Sequence, residues 1–120
     1  MTMTRCLAVV LCALRLAPVH GAAAAQCEPV SPLSRYVEET LARVESSGRL
    51  EPNPGVDGAD FEAFIALLEE ARLSQRAIES AASCTEREAA LAAADRALLE
   101  QLALQFGTRL ADAVLALASE

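Results

Sequence analysis

The clearest indication of the fold is the segment at residues 31–48, which reads SPLSRYVEETLARVESSG. Ser31 followed by Pro32 is typical of an N-cap and a proline at the first helical position, where the missing N–H costs nothing. Gly48 supplies the usual left-handed end of a helix. Between these ends, apolar residues recur three and four positions apart, at Leu33, Tyr36, Val37, Leu41 and Val44. The segment therefore predicts an amphipathic helix.

The same periodicity predicts a second helix, from near Asp57 or Asp60 to about Ala82. Its apolar face consists of Phe61, Phe64, Ile65, Leu68, Ala71 and Ile78. Between the two helices, the segment EPNPGVDG at residues 51–58 has the Pro-Gly and Asp-Gly pairs of a loop.

A third helix is predicted to begin at Thr85 and Glu88, which have the spacing of a capping box. Its apolar residues are Leu91, Leu98, Leu99, Leu102 and Phe106. The apolar pattern resumes beyond Gly107, which either kinks one long helix or separates two. Nothing alternates in the manner of a β-strand, so the predicted fold class is all-α, a small bundle of three or four helices.

The N-terminal segment has the features of a signal peptide, with Arg5 before an apolar run, CLAVVLCAL, at residues 6–14. We expect cleavage after Ala25, although cuts after Gly21 or Ala23 fit nearly as well. Arg15 interrupts the apolar run too early for a transmembrane anchor. These features divide the chain into a signal peptide, residues 1–25, and one helical domain, residues 26–120, secreted or periplasmic.

The amino-acid composition excludes several classes of function. The 120 residues carry ten basic and 17 acidic side chains, and the formal net charge of −7 argues against nucleic-acid binding. All ten basic residues are Arg, and the one histidine, His20, lies in the expected signal peptide. The mature chain therefore has neither Lys nor His, and its net charge is −9 because Arg5 and Arg15 are lost as well.

Removal of the signal peptide also leaves two cysteines, Cys27 and Cys84. In an exported chain the simplest expectation is one disulfide between them. In an up-down-up bundle the start of the first helix and the end of the second lie at the same end, which favours a bond within one chain. The alternative is an intermolecular bridge through Cys27 on an N-terminal arm.

One short stretch resembles a known family. DFEAFIALL, residues 60–68, resembles the start of the exiting helix of an EF-hand. Aligned that way, the calcium-ligand positions fall on Pro52, Pro54, Val56 and Ala63, which lack side-chain oxygens. The resemblance implies a calcium-free helix–loop–helix. The nearby carboxylates, which are those of Glu51, Asp57, Asp60 and Glu62, are expected to be solvated or to cap the helix.

Catalysis can be tested by elimination. A mature chain without His or Lys has no Ser-His-Asp triad, no Cys-His pair and no Schiff-base lysine. Carboxylates adjacent in sequence, such as Glu38 with Glu39 and Glu69 with Glu70, diverge by about 100° on a helix and do not converge on one substrate atom. We expect no enzyme, no cofactor and no metal site.

Two functional classes follow. The first is a protein–protein interaction module that binds another protein or a second copy of itself, using leucines outside the apolar stripes: Leu67, Leu73, Leu104 and Leu115. The alternative is a carrier of a small apolar ligand. Its pocket would be lined by six side chains that otherwise form the core: Phe61, Phe64, Ile65, Leu98, Leu102 and Phe106.

Overall fold

The computed structural model describes residues 31–81 and 83–120, and this part of the chain consists of helices without strands. Its four helices are α1 (Pro32–Ser47), α2 (Phe61–Ala81), α3 (Cys84–Phe106) and α4 (Thr108–Ala118). The predicted all-α class is confirmed. The expected signal peptide and Cys27 lie outside the described residues.

The helices form a closed bundle, because each packs on its neighbour in sequence and α4 also packs on α1. The interior is one apolar cluster to which all four helices contribute. Its most deeply buried members are Val37, Leu41, Phe64, Leu68, Leu102 and Val114. In the described ranges, no helix combines the length and the hydrophobicity that crossing a bilayer requires.

Both predicted ends of α1 are confirmed. The Ser31 hydroxyl accepts a hydrogen bond from the Ser34 amide at 3.1 Å, and Pro32 occupies the first turn. At the other end Gly48 has a φ of 74°, and its N–H donates to the Val44 carbonyl at 2.7 Å. A residue with a Cβ is strained at that positive φ, so glycine suits the position.

The loop between α1 and α2 is held to the bundle by two buried side chains, Leu50 and Val56. Asn53 closes the loop, because its Oδ1 accepts from the amides of Gly55 and Val56 while its Nδ2 donates to the Val56 carbonyl. At the start of α2, the Asp57 carboxylate accepts from the Asp60 amide at 2.9 Å.

The predicted capping box of α3 is wrong in its register. Thr85 is already inside the helix, which begins at Cys84, so its backbone is not free to cap. Ser83 is the N-cap, with an extended backbone and a hydroxyl that accepts from the Glu86 amide. Glu86 completes the capping box by accepting from the Ser83 amide at 3.3 Å.

Gly107 separates α3 from α4, which decides between the two alternatives that the sequence left open. Its φ of 101° and ψ of 154° belong to a region that glycine alone adopts readily. The break redirects the chain so that Leu110 and Val114 on α4 face the core. Phe106, the last residue of α3, contacts Phe64 edge-on with ring centroids 5.8 Å apart.

Candidate functional site

A groove of about 150 Å³ runs along the surface between α2 and α3. It exists because the two helices face each other there through small side chains, which leave space that larger ones would fill. Its walls include Leu67, Ala71 and Ser74 from α2, and Ala94, Ala97 and Gln101 from α3.

Gln75 adds a buried polar group to this groove. The residue is 2% exposed, and its Oε1 has no hydrogen-bond partner among the described residues. An amide oxygen that has lost water without gaining a donor costs free energy, typically about 1–3 kcal/mol. Such a group is unusual in a folded protein, and a bound molecule with a donor would satisfy it.

The charge of the groove is acidic. Of its lining residues in the described chain, only Glu70 carries a charge. Glu100 is exposed and lies three residues after Ala97, hence one turn further along the same side of α3. The groove is therefore a mostly apolar surface with one carboxylate, that of Glu70, in its lining and a second, that of Glu100, one helical turn beyond Ala97.

The six residues predicted as an apolar pocket or core lie together in the bundle interior. Phe64, Leu98 and Leu102 are buried, and the other three, Phe61, Ile65 and Phe106, are partly buried against the same cluster. Leu98 also lines the groove, so it connects the core with the surface site.

The four leucines predicted to lie outside the core are divided. Leu67 packs partly against the core and lines the groove. Leu73, Leu104 and Leu115 are exposed, with Leu104 the most exposed at 78%. Leu104 follows Ala97 by seven residues, which is two turns, so it extends the apolar wall of α3 toward the start of α2.

Of the four carboxylates considered for catalysis, Glu38 and Glu39 take part in structural contacts. Glu38 is bonded to Arg76, and Glu39 lies 3.8 Å from Arg43 as an i,i+4 pair. Glu69 and Glu70 are exposed.

Two of the four loop carboxylates have partners within the protein. Glu51 forms an ion pair with Arg49 at 3.3 Å, and the Asp57 carboxylate accepts a hydrogen bond from the Asp60 amide. At the four EF-hand ligand positions, Pro52 and Ala63 are exposed, Pro54 is half-buried and Val56 is buried in the core. Within residues 31–81 and 83–120, no group of three or more His, Cys, Asp or Glu side chains is placed to hold a metal ion.

A second cleft, of about 420 Å³, lies between α1 and α4. Both of its arginines already contact the protein: Arg35 donates to the Ala118 carbonyl at 3.3 Å, and Arg43 lies beside Glu39. Burial raises the pKa of the Tyr36 hydroxyl in this cleft, and Thr40 and Arg43 oppose the shift. Because its arginines are engaged, this cleft offers less to a ligand than the groove.

Comparison with known proteins finds no family model that matches the chain, no similar curated protein and no similar solved structure.

The groove contains residues that the sequence pattern alone did not single out, above all Gln75. A signal was present, because Gln75 follows Ala71 by four residues and Leu68 by seven, the spacing of the buried face. A polar side chain at a core position of an amphipathic helix marks either a satisfied network or a binding site.

Proposed function

We propose that this protein is an exported, non-catalytic interaction module that binds another protein along the groove between α2 and α3. The observation that carries the proposal is the unfilled groove with the buried, unpartnered Gln75 amide beside it. A bound protein would bury the apolar surface of the groove and could donate a hydrogen bond to the Gln75 amide oxygen. Both changes favour binding.

Exposed apolar surface extends the groove on its α3 side. Ala97 and Leu104 are both exposed and share one face of that helix. Small side chains such as that of Ala97 allow the backbone of a partner to approach closely, and Leu104 offers area at the edge of the contact.

The non-catalytic assignment rests on the side chains available in the mature chain. It has no His and no Lys, and of its adjacent carboxylates Glu38 and Glu39 are engaged with arginines. The alternative function is a carrier of a small apolar ligand. Its pocket would need the six predicted side chains, which pack into or against the core: Phe61, Phe64, Ile65, Leu98, Leu102 and Phe106.

Export and one intramolecular disulfide, Cys27 to Cys84, belong to the same proposal. Support comes from the signal-like residues 1–25 and from the position of Cys84, exposed at the first residue of α3. An oxidising compartment favours the bond, which would tether the arm before α1 to the α2–α3 turn.

Site-specific photo-crosslinking tests the proposed function. A photoreactive phenylalanine analogue in place of the exposed Leu104 lies beside the groove and leaves it open, and the matched control at Ala42 lies on the exposed side of α1. In extracytoplasmic extract of the source organism, we expect a discrete protein adduct from position 104 and none from position 42. Equal adducts from both positions, or none from position 104, would exclude the groove as a protein-binding surface.

A further inference from the structure

The size of the groove limits what can enter it. A cavity of about 150 Å³ accepts a group the size of benzene, so the groove holds one large apolar side chain and not a whole helix face. Its walls come from successive turns of two antiparallel helices, and such walls form a hole into which one side chain of a third helix can insert as a knob.

The charge of the surroundings selects the partner. Glu70 lines the groove and Glu100 lies on its α3 side, while Arg and Lys are absent from the lining that the structure describes. A second copy of this chain would place the same carboxylates against each other, in a protein whose net charge is −7. A partner with Lys or Arg beside its apolar knob would instead find opposite charges at the edges of the contact.

Gln75 adds a hydrogen-bonding requirement. Its Oε1 can only accept, so the group that satisfies it must be an N–H or O–H donor. Arg and Lys side chains supply donors next to an apolar knob, and their aliphatic stems pack on alanines such as Ala97. The hydrogen-bonding requirement is therefore met by the same basic partner that the charge of the groove favours.

We infer that the groove is the receptor for a basic amphipathic helix of another protein, anchored by one large apolar side chain inserted between Ala71 and Ala97. The inference rests on the proposed function and specifies the chemistry of the partner. The anchor supplies most of the affinity because it is fully desolvated, whereas Glu70 and Glu100 orient the helix and speed its association.

The experiment is selection from an unbiased phage library of helical peptides, with the mature protein as bait and the Ala97→Trp variant for counter-selection. Tryptophan at position 97 fills the groove, and the Ala42→Trp variant is the matched control on α1. We expect the enriched peptides to carry a net positive charge around one large apolar residue. Replacement of that residue by Ala should weaken binding at least about tenfold.

Two charge variants test the partner independently of groove filling. Glu70→Lys and Glu69→Lys change the net charge equally, but only Glu70 lines the groove. Binding of a selected peptide should weaken about fivefold to tenfold with Glu70→Lys and much less with Glu69→Lys. Circular dichroism melts of every variant show whether it is folded.

Enrichment of acidic or neutral helices, or of peptides that bind Ala97→Trp as well as the parent, would overturn the inference, as would absence of groove-dependent enrichment. So would a dimer seen by analytical ultracentrifugation that Ala97→Trp dissociates. If position 104 still crosslinks a protein in extract, any of the peptide results overturns the partner chemistry alone. If that crosslink is missing, the proposed function itself fails.

Discussion

Arg76 on α2 donates two hydrogen bonds to Glu38 on α1, from Nε to Oε2 at 2.9 Å and from Nη2 to Oε1 at 2.8 Å. The paired fork geometry joins the two helices at their solvent edge, with the side chains 56% and 40% exposed. The hydrogen bond from Arg76 is the main reason that the pKa of Glu38 lies below its ordinary value of 4.5.

This ion pair predicts a pH-dependent contribution to stability. The pKa of Glu38 is lower in the folded state than in the unfolded state. The ion pair therefore contributes its full stability when the pH is above the unfolded-state pKa, and this contribution is lost as the pH falls through the folded-state pKa. We expect Glu38→Gln to lower the urea midpoint slightly at pH 7 and to match the parent protein at pH 2. The effect is small because exposed pairs are screened, and 1 M salt should reduce it further.

The control for Glu38 is Glu39→Gln, which removes a looser contact within α1, 3.8 Å from Arg43. It removes the same charge without breaking a bond between helices, so its effect at pH 7 should be smaller. A Glu38→Gln variant that is as stable as the parent at every pH would show that the pair contributes nothing.

Asp95 on α3 predicts the opposite pH dependence. Burial raises its pKa, and the nearby Ser31 hydroxyl only partly opposes the shift, while Oδ1 has no partner among the described residues. A raised folded pKa means that the ionised carboxylate destabilises the fold, so this cost appears as the pH rises through the folded value. Asp95→Asn should therefore be more stable than the parent at pH 7, and the difference should shrink at pH 3. Thermal melts at both pH values measure it, and a variant less stable at pH 7 would contradict the prediction.

The capping box of α3 can be tested with a matched pair of variants. Ser83→Ala removes the hydroxyl that accepts from the Glu86 amide, and such a loss typically costs about 1 kcal/mol. Thr85→Ala removes a hydroxyl from a residue already inside the helix, so its effect should be close to zero. Chemical denaturation of the two variants decides between the observed cap and the register predicted from the sequence.

These two registers show what the sequence could and could not decide. Ser83 with Glu86 and Thr85 with Glu88 have the same spacing two residues apart, and local chemistry fits either. The structure selects the earlier one because α3 begins at Cys84. Where the sequence offers only one capping residue at each end, as with Ser31-Pro32 and Gly48, both ends of α1 were predicted correctly.

The candidate site was less predictable than the fold for a related reason. Ala71, Ala94 and Ala97 are good helix formers in any surroundings, so their presence alone does not reveal a groove. The groove depends on how α2 and α3 face each other, which is a property of tertiary packing. Only Gln75 gave a signal in the sequence, because it is a polar residue at a position where the helical spacing of α2 predicts an apolar one.

The backbone conformation of Gly107 predicts that a side chain at this position lowers the stability of the fold even though it meets no neighbouring atoms. A Cβ at this position would meet nothing within 4 Å, so the cost of Gly107→Ala comes from φ of 101° alone. Backbone conformations of this kind cost on the order of 1–3 kcal/mol for a residue other than glycine. Gly58→Ala is the control, since Gly58 also has open space around it but no positive φ. Equal stability of the two variants would contradict the strain argument.

The proposed disulfide makes the last prediction. Ser31 lies beside Asp95, 11 residues and about 17 Å along α3 from Cys84, so α1 does not begin level with the α2–α3 turn as an ideal up-down-up bundle would place it. The four Cα–Cα steps from Cys27 to Ser31 span at most about 14 Å, and a disulfide adds about 5–6 Å between Cα atoms. The two lengths together exceed the distance along α3 by a few ångströms, so an intramolecular bond is within reach with little length to spare.

We expect the purified native protein to begin between Ala22 and Gln26 and to contain one bond between Cys27 and Cys84 within a single chain. Closing a loop of about 58 residues stabilises a fold by on the order of 4 kcal/mol, so Cys84→Ser should lower stability by a few kcal/mol and leave most of the helix content intact. N-terminal sequencing, non-reducing electrophoresis and peptide mass spectrometry measure these properties on one sample. A covalent dimer would replace the intramolecular bond with an intersubunit one. Two free thiols, or a chain that still begins at Met1, would contradict export to an oxidising compartment.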